Sequence, residues 1–260
     1  MKILVTLLLL TITVSLKAQK DTSLIKDWKS HTFPVDKDTL LIYNHSSDYR
    51  VYIQDNQIKT AKGIYGKKND LPFSIEAQAP KEGQEFYSPF AGVRTTFRVD
   101  DGYLIGFNNG EFGGSLNWFS TDGKEYYLIG RFNLQQFISR DGKVYAIQGL
   151  SHMSVNEGTI LQIEKKAGKW TAGDYLRLSS APRAITIDRK NRFLIATASA
   201  LLRIDEKSGI ESLYENDSWL YYLSPNSVVC HNAVVYVGMR GGVFRYDPDT
   251  KKQEWLRPDH

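Results

Sequence analysis

One cysteine in 260 residues leaves no internal disulfide, so a fold stapled by sulfur bridges is excluded. Cys230 sits in an apolar run, Ser227-Val-Val-Cys-His231, and reads as a buried small hydrophobe rather than a reactive thiol. Histidine is nearly as scarce. His31, His45, His152, His231 and His260 show no helical or zinc-type spacing, so no structural zinc is expected. Charge of one sign is lacking as well: 33 basic residues face 29 acidic ones, which does not call for nucleic acid or an anionic membrane. After the first residues no apolar stretch approaches the roughly 20 residues of a membrane span. There is no Gly-x-Ser-x-Gly, and the glycines at 110, 113 and 114 are followed by no helix that would make a phosphate loop.

What is present begins with Lys2, an apolar run over residues 3–14 and Ser15-Leu-Lys-Ala18, the pattern of a secretory signal peptide cleaved after Ala18. Secretion or export to a periplasm is therefore expected. Without residues 1–18 the chain has 242 residues, with 31 basic against 29 acidic. That length suits one domain, 19–260, with a large core or a repeat array.

The array is visible in turn and strand residues. Residues 39–43, 49–53 and 57–59 read as strands of a meander, whereas 63–92 is rich in Gly and Pro and reads as an insertion or a degenerate repeat. From residue 97 a strand–turn–strand unit recurs. Its second strand closes on a small residue at Gly106, Ala146, Ala196 and Gly238, after steps of 40, 50 and 42 residues. Third and fourth strands follow each time, as at 243–246 and 253–256. Four short strands every 40 to 50 residues is the period of a β-propeller blade, and blades bury their faces by stacking around an axis. The chain is thus expected to be all-β, a propeller of five or six four-stranded blades.

Val235-Tyr-Val-Gly-Met-Arg-Gly-Gly-Val-Phe-Arg-Tyr-Asp-Pro248 resembles the repeat of two-component regulator propellers, and residues 184–205 form a weaker copy. Streptogramin lyase-like and SMP-30/gluconolactonase-like propellers share this blade style. The resemblance spans about residues 95–256 and rests on strand and turn residues, so it implies a fold and leaves function to the site.

In such a fold the loops leading into the innermost strands and those joining strands two and three open on one mouth. They would supply Arg94, Asn133, Gln135, Gln136, Arg183 and Asn226, and then Asn108, Asn109, Glu111, His152, Asn156, Glu157 and Arg240. Arg94, Asn133, Gln136, His152, Arg183, Asn226 and Arg240 are the expected ligand-binding set. Amides and guanidiniums suit a small polar or anionic ligand, or a protein partner. No metal and no cofactor is expected: the resemblance to lactonases implies a hard-cation site, matched here only at Asn226 and opposed by Arg183. The residues therefore point to non-catalytic binding at the axial mouth. The alternative is a propeller hydrolase or lyase, with His152 and Glu157 as its acid/base pair. Asp101-Gly102, Asp122-Gly123, Asp141-Gly142 and Asp247-Pro248 fall on the far face as turns. Most aromatics are expected to pack between blades.

Overall fold

A computed structural model describes residues 22–63, 71–76 and 89–258. The expected signal peptide and much of the 63–92 region lie outside the described residues. Two short strands, β1 (Thr22–Leu24) and β2 (Lys29–His31), precede a helix, α1 (Lys37–Asn44), and the hairpin β3 (Tyr49–Gln54) and β4 (Gln57–Lys62). The first blade holds β5 (Val93–Val99), β6 (Gly102–Asn108), β7 (Gly114–Ser120) and β8 (Tyr126–Gly130). The second holds β9 (Leu134–Arg140), β10 (Lys143–His152), β11 (Val155–Lys166) and β12 (Lys169–Leu178). In the third are β13 (Pro182–Ile187), β14 (Phe193–Thr197), β15 (Ala200–Ile204) and β16 (Ile210–Glu215). The fourth has β17 (Ser227–His231), β18 (Val234–Met239), β19 (Gly242–Tyr246) and β20 (Gln253–Arg257).

Each blade is an antiparallel meander in sequence order, and β2 joins the fourth at its outer edge beside β20. β1, β4 and β3 form a separate three-stranded sheet. The fold is a β-propeller. Its middle strands are buried on both faces: every residue of β14 is buried, because a blade meets a neighbour on each side. Leu104 and Leu116 of the first blade pack with Leu134, Phe137 and Ala146 of the second. Tyr145, Ile147 and Ile160 of the second pack with Ile185, Phe193 and Ile195 of the third. The third meets the fourth and α1 through Leu213, Phe244, Tyr246 and Leu40. Tyr49, Val51 and Ile58 of the three-stranded sheet pack on Val243 and Leu256. The other face of the first blade is covered by Leu71, Phe73, Ile75 and Phe90, so part of the Gly- and Pro-rich region serves as its lid.

Residues 39–43, expected as a strand, are instead inside α1. The β-prone run Thr-Leu-Leu-Ile-Tyr is overruled by its start and by its burial. Asp36 caps the helix by accepting a hydrogen bond from Thr39 N at 2.8 Å, and that bond lowers the Asp36 pKa. Leu40 and Tyr43, three apart, turn one face onto the core, where Tyr43 meets Trp255 with ring centroids 5.7 Å apart. The strand expected at 57–59 does form, as part of β4, after a two-residue turn at Asp55 and Asn56, both at positive φ.

Gly241 carries the bend between β18 and β19 at φ +83°, and a Cβ there would stand 2.5 Å from the Tyr43 ring. Gly241→Ala is expected to cost about 1–3 kcal/mol through backbone strain and this clash. Urea denaturation measures it, and a loss below about 0.5 kcal/mol would contradict the packing described.

Candidate functional site

Strand order places the 109–113, 153–154, 198–199 and 240–241 connections on one face, with the segments leading into β5, β9, β13 and β17. The second blade stands out there. Its hairpin β10–β11 and the following β12 are ten, twelve and ten residues long, against five to seven in the other blades. At about 3.3 Å per residue, β11 is close to 40 Å long. This extra length accounts for the 50-residue step in the repeat, and it raises a wall opposite the 109–114 loop of the first blade.

Between wall and loop lies a cleft of about 880 Å³. It is lined by Phe132, Asn133 and Gln148, by Glu111 and Phe112 of the loop, and by Glu157 and Thr159 of the hairpin. The outer strand adds Asp174 and Arg177, and the segment between the first two blades adds Arg131. The loop is shaped locally. Asn108 Oδ1 accepts from Gly110 N at 2.9 Å, a 3-10 turn spans Gly110–Phe112, and Asn133 Nδ2 donates to Gly110 O at 2.9 Å. Asn133 therefore lines the cleft and also pins the turn that presents Phe112, a residue 47% exposed.

His152, at the tip of β10, is paired with Glu111 rather than with Glu157: its Nε2 is 2.6 Å from Glu111 Oε2. In the hairpin register Glu157 faces Leu150 while His152 faces Val155, which separates the two residues expected as a pair. Glu111 comes from the neighbouring blade. The Glu157 carboxylate has no hydrogen bond or ion pair among the described residues, and the residue lines the cleft.

The other expected binding residues do not line this cleft. Gln136 is scaffold: its Nε2 donates to Ile185 O at 2.9 Å and its Oε1 accepts from Ile185 N at 3.2 Å, so the amide stitches β9 to β13 in place of a ladder bond. Arg240 is also engaged. Its Nη1 donates to Asn44 Oδ1 at 2.5 Å, and its Nε stands 3.7 Å from Asp48 Oδ1 across an isolated bridge of those two residues. Burial pushes the Asp48 carboxyl up and the Arg240 charge acts against this, as expected of a structural ion pair. Arg94 lies in β5 opposite Phe107. Asn226 accepts from Ser227 Oγ at 2.9 Å, and its Nδ2 is buried without a partner among the described residues.

Arg183 differs from these. It is the extra residue of a β-bulge where Pro182 pairs with Thr197 and Ala184 with Ala196. Bulges re-aim side chains. Its guanidinium has no hydrogen bond or ion pair among the described residues, and burial pushes its pKa down with no carboxylate to oppose it. The adjacent Pro182 packs on Gly149 and Gly158 of the cleft wall. Gln135 occupies the matching bulge of β9.

Among the described residues no three His, Cys, Asp or Glu side chains gather as a metal site. Burial, with the nearby Asp188 charge, raises the Cys230 thiol pKa, consistent with an inert thiol. No helix of the described residues is long and apolar enough to cross a membrane.

A scan against protein-family models gives no match, and neither does a search of curated proteins. Solved structures do resemble the chain. Virginiamycin B lyase from Staphylococcus aureus is 16% identical at TM-score 0.43, with 64% of this chain and 55% of that one covered. The extracellular domain of a one-component system from B. thetaiotaomicron is 11% identical at TM-score 0.43, over 91% of this chain and 30% of that one. An auxiliary nutrient binding protein from Bacteroides thetaiotaomicron is 8% identical at TM-score 0.42, over 81% and 63%. The chain spans about half of the lyase and under a third of the one-component domain.

Proposed function

We propose that this is a secreted or periplasmic propeller that binds a small polyhydroxylated ligand in the cleft between its first two blades and does no chemistry on it. One observation carries the reading: the cleft of about 880 Å³ combines an exposed Phe112 and Phe132 with Glu157, Asp174, Arg177 and Gln148. Carboxylates accept from neighbouring hydroxyl pairs, guanidinium and amide groups donate, and aromatic faces cover the C–H side of a sugar ring. A purely anionic ligand fits this lining less well, because Glu111, Glu157 and Asp174 would repel it. We assign the recognition of an acidic substituent to Arg183, which lies outside that lining but follows Pro182, packed on the cleft wall, and has no hydrogen bond or ion pair among the described residues.

A thermal-shift panel of neutral and uronic-acid oligosaccharides tests the reading. A saturable rise in Tm is expected for at least one sugar. Arg183→Gln is expected to weaken acidic sugars about tenfold and leave neutral ones unchanged. A panel without any response, or an equal effect of Arg183→Gln on both classes, would count against the assignment.

The second reading, a hydrolase or lyase, is favoured by the 2.6 Å contact of His152 with Glu111, since a carboxylate that orients an imidazole can prepare it for proton abstraction. The two readings separate on His152→Ala. For a binding protein the variant keeps affinity within about threefold and the ligand is recovered intact; for an enzyme, turnover by the wild type is lost in the variant.

A further inference from the structure

We propose that a second cavity, where the three-stranded sheet meets the fourth blade, is a binding site for a small phosphate-type oxyanion. The cavity is about 250 Å³ and is lined by His45, Ser47, Tyr49, Lys62 and Arg257, with no carboxylate among the described residues of its walls. It shares no residue with the inter-blade cleft.

Arg257 is the centre of the case. Its guanidinium carbon lies 5.0 Å from the Tyr43 ring centroid, and stacking of this kind holds the planar group in place. Its Nε is buried without a hydrogen-bond partner, and no ion pair reaches it among the described residues. A buried N–H of a charged group left unpaired is costly, and a bidentate oxyanion is the partner that matches its geometry. Lys62 likewise has no ion-pair partner among the described residues. Burial raises the Tyr49 phenol, with the Arg257 charge acting the other way, so its hydroxyl remains protonated at neutral pH and able to donate.

Two nearby features would oppose an anion, and both are already satisfied. The last carbonyls of α1 at Ile42 and Tyr43 accept from His45 N at 3.2 Å and Ser46 N at 2.9 Å. Among the described residues the carboxylate next to the lining in sequence, Asp48, is turned to Arg240. The volume is ample for a phosphate group. An anion here would tie β3 and β4 to β20, so its binding would stabilise the junction by linkage.

The test is calorimetric titration with inorganic phosphate at fixed ionic strength, repeated with sulfate, glycerol phosphate and acetate, on the wild type, Arg257→Gln and Lys62→Gln. One saturable phosphate site is expected, with acetate much weaker. Arg257→Gln is expected to weaken it about 10- to 100-fold and Lys62→Gln several-fold. Equal affinity for phosphate and glycerol phosphate assigns recognition to the inorganic group, and tighter glycerol phosphate assigns it to an ester; both support the site. Because Arg257 also packs on Tyr43, Lys62→Gln, at an exposed position, keeps the test open should Arg257→Gln unfold. A phosphate response no larger than that of chloride, or one unaltered in Lys62→Gln and in folded Arg257→Gln, overturns the proposal. Phe112→Ala, in the other cleft, should leave phosphate binding unchanged, so this site and the sugar cleft fail or stand separately.

Discussion

Phe244→Ala is expected to cost about 3–5 kcal/mol, the largest effect of any single substitution considered for this protein. The ring is fully buried in β19 and meets Tyr214 at 4.7 Å, Phe33 at 5.1 Å and Trp219 at 5.3 Å. Those partners come from the outer strand of the third blade, the segment after β2 and the Trp219–Leu223 turn, so one side chain joins three parts of the chain. Truncation removes the burial of an aromatic side chain and leaves a cavity that the flanking blades cannot fill without moving. Phe244→Leu keeps most of the volume and is expected to cost only about 1–1.5 kcal/mol. Chemical denaturation of both variants checks this. Equal losses in the two would mean that aromatic shape, not volume, carries the junction.

The second large effect is at Asp101, in the turn between β5 and β6. Its carboxylate accepts from Lys165 Nζ at 2.6 Å, Trp170 Nε1 at 3.0 Å and Trp118 Nε1 at 3.2 Å, which latches the first blade to the second beneath the cleft. Burial alone would raise its pKa; the hydrogen bonds from Lys165, Trp170 and Trp118 prevail and hold it at about 2. A carboxyl whose folded pKa lies below its unfolded value, about 3.9, stabilises the fold above that value and loses the contribution as pH falls toward 2. Asp101→Asn is therefore expected to lose about 1–2 kcal/mol at pH 6, a figure reduced for the partial exposure of the group. The gap to the wild type should shrink between pH 4 and pH 2. A gap independent of pH over that range would place the effect in packing rather than in charge.

Asp101 also shows where sequence reasoning stops. Asp101-Gly102 is recognisable as a turn, and its role as a turn is confirmed by the register of β5 and β6. The two indoles and the lysine that meet it lie 17, 69 and 64 residues away and leave no local signal. The same holds at the mouth. Loops expected on one face are on one face because the strand-to-strand period is local and repeated. Which of their residues remain open depends on neighbours brought in by blade stacking: Gln136 is taken by Ile185, and Arg240 by Asp48 and Asn44. His152 and Glu111 meet because they stand on adjacent blades, a contact that spacing within one loop does not reveal.

Two further features are legible in the sequence. The 50-residue step marks the long β10–β11 hairpin that walls the cleft, and with it the contribution of Asp174 and Arg177 from an outer strand. Asp36, three residues before Thr39, is a helix cap ahead of an apolar run whose β-branched and aromatic members suggest a strand. The three-residue β2 has no periodicity to read; its place beside β20 follows from an open outer edge in the fourth blade.

The central claim is that the inter-blade cleft binds a ligand without transforming it. Calorimetric titration of the best-responding sugar into the wild type, Phe112→Ala and Glu157→Gln, with mass analysis of the recovered sugar, tests it most directly. The account predicts one site, an affinity loss of about tenfold or more in each variant, and sugar recovered unchanged. Undiminished affinity in both variants, or a sugar returned cleaved or unsaturated, would contradict it.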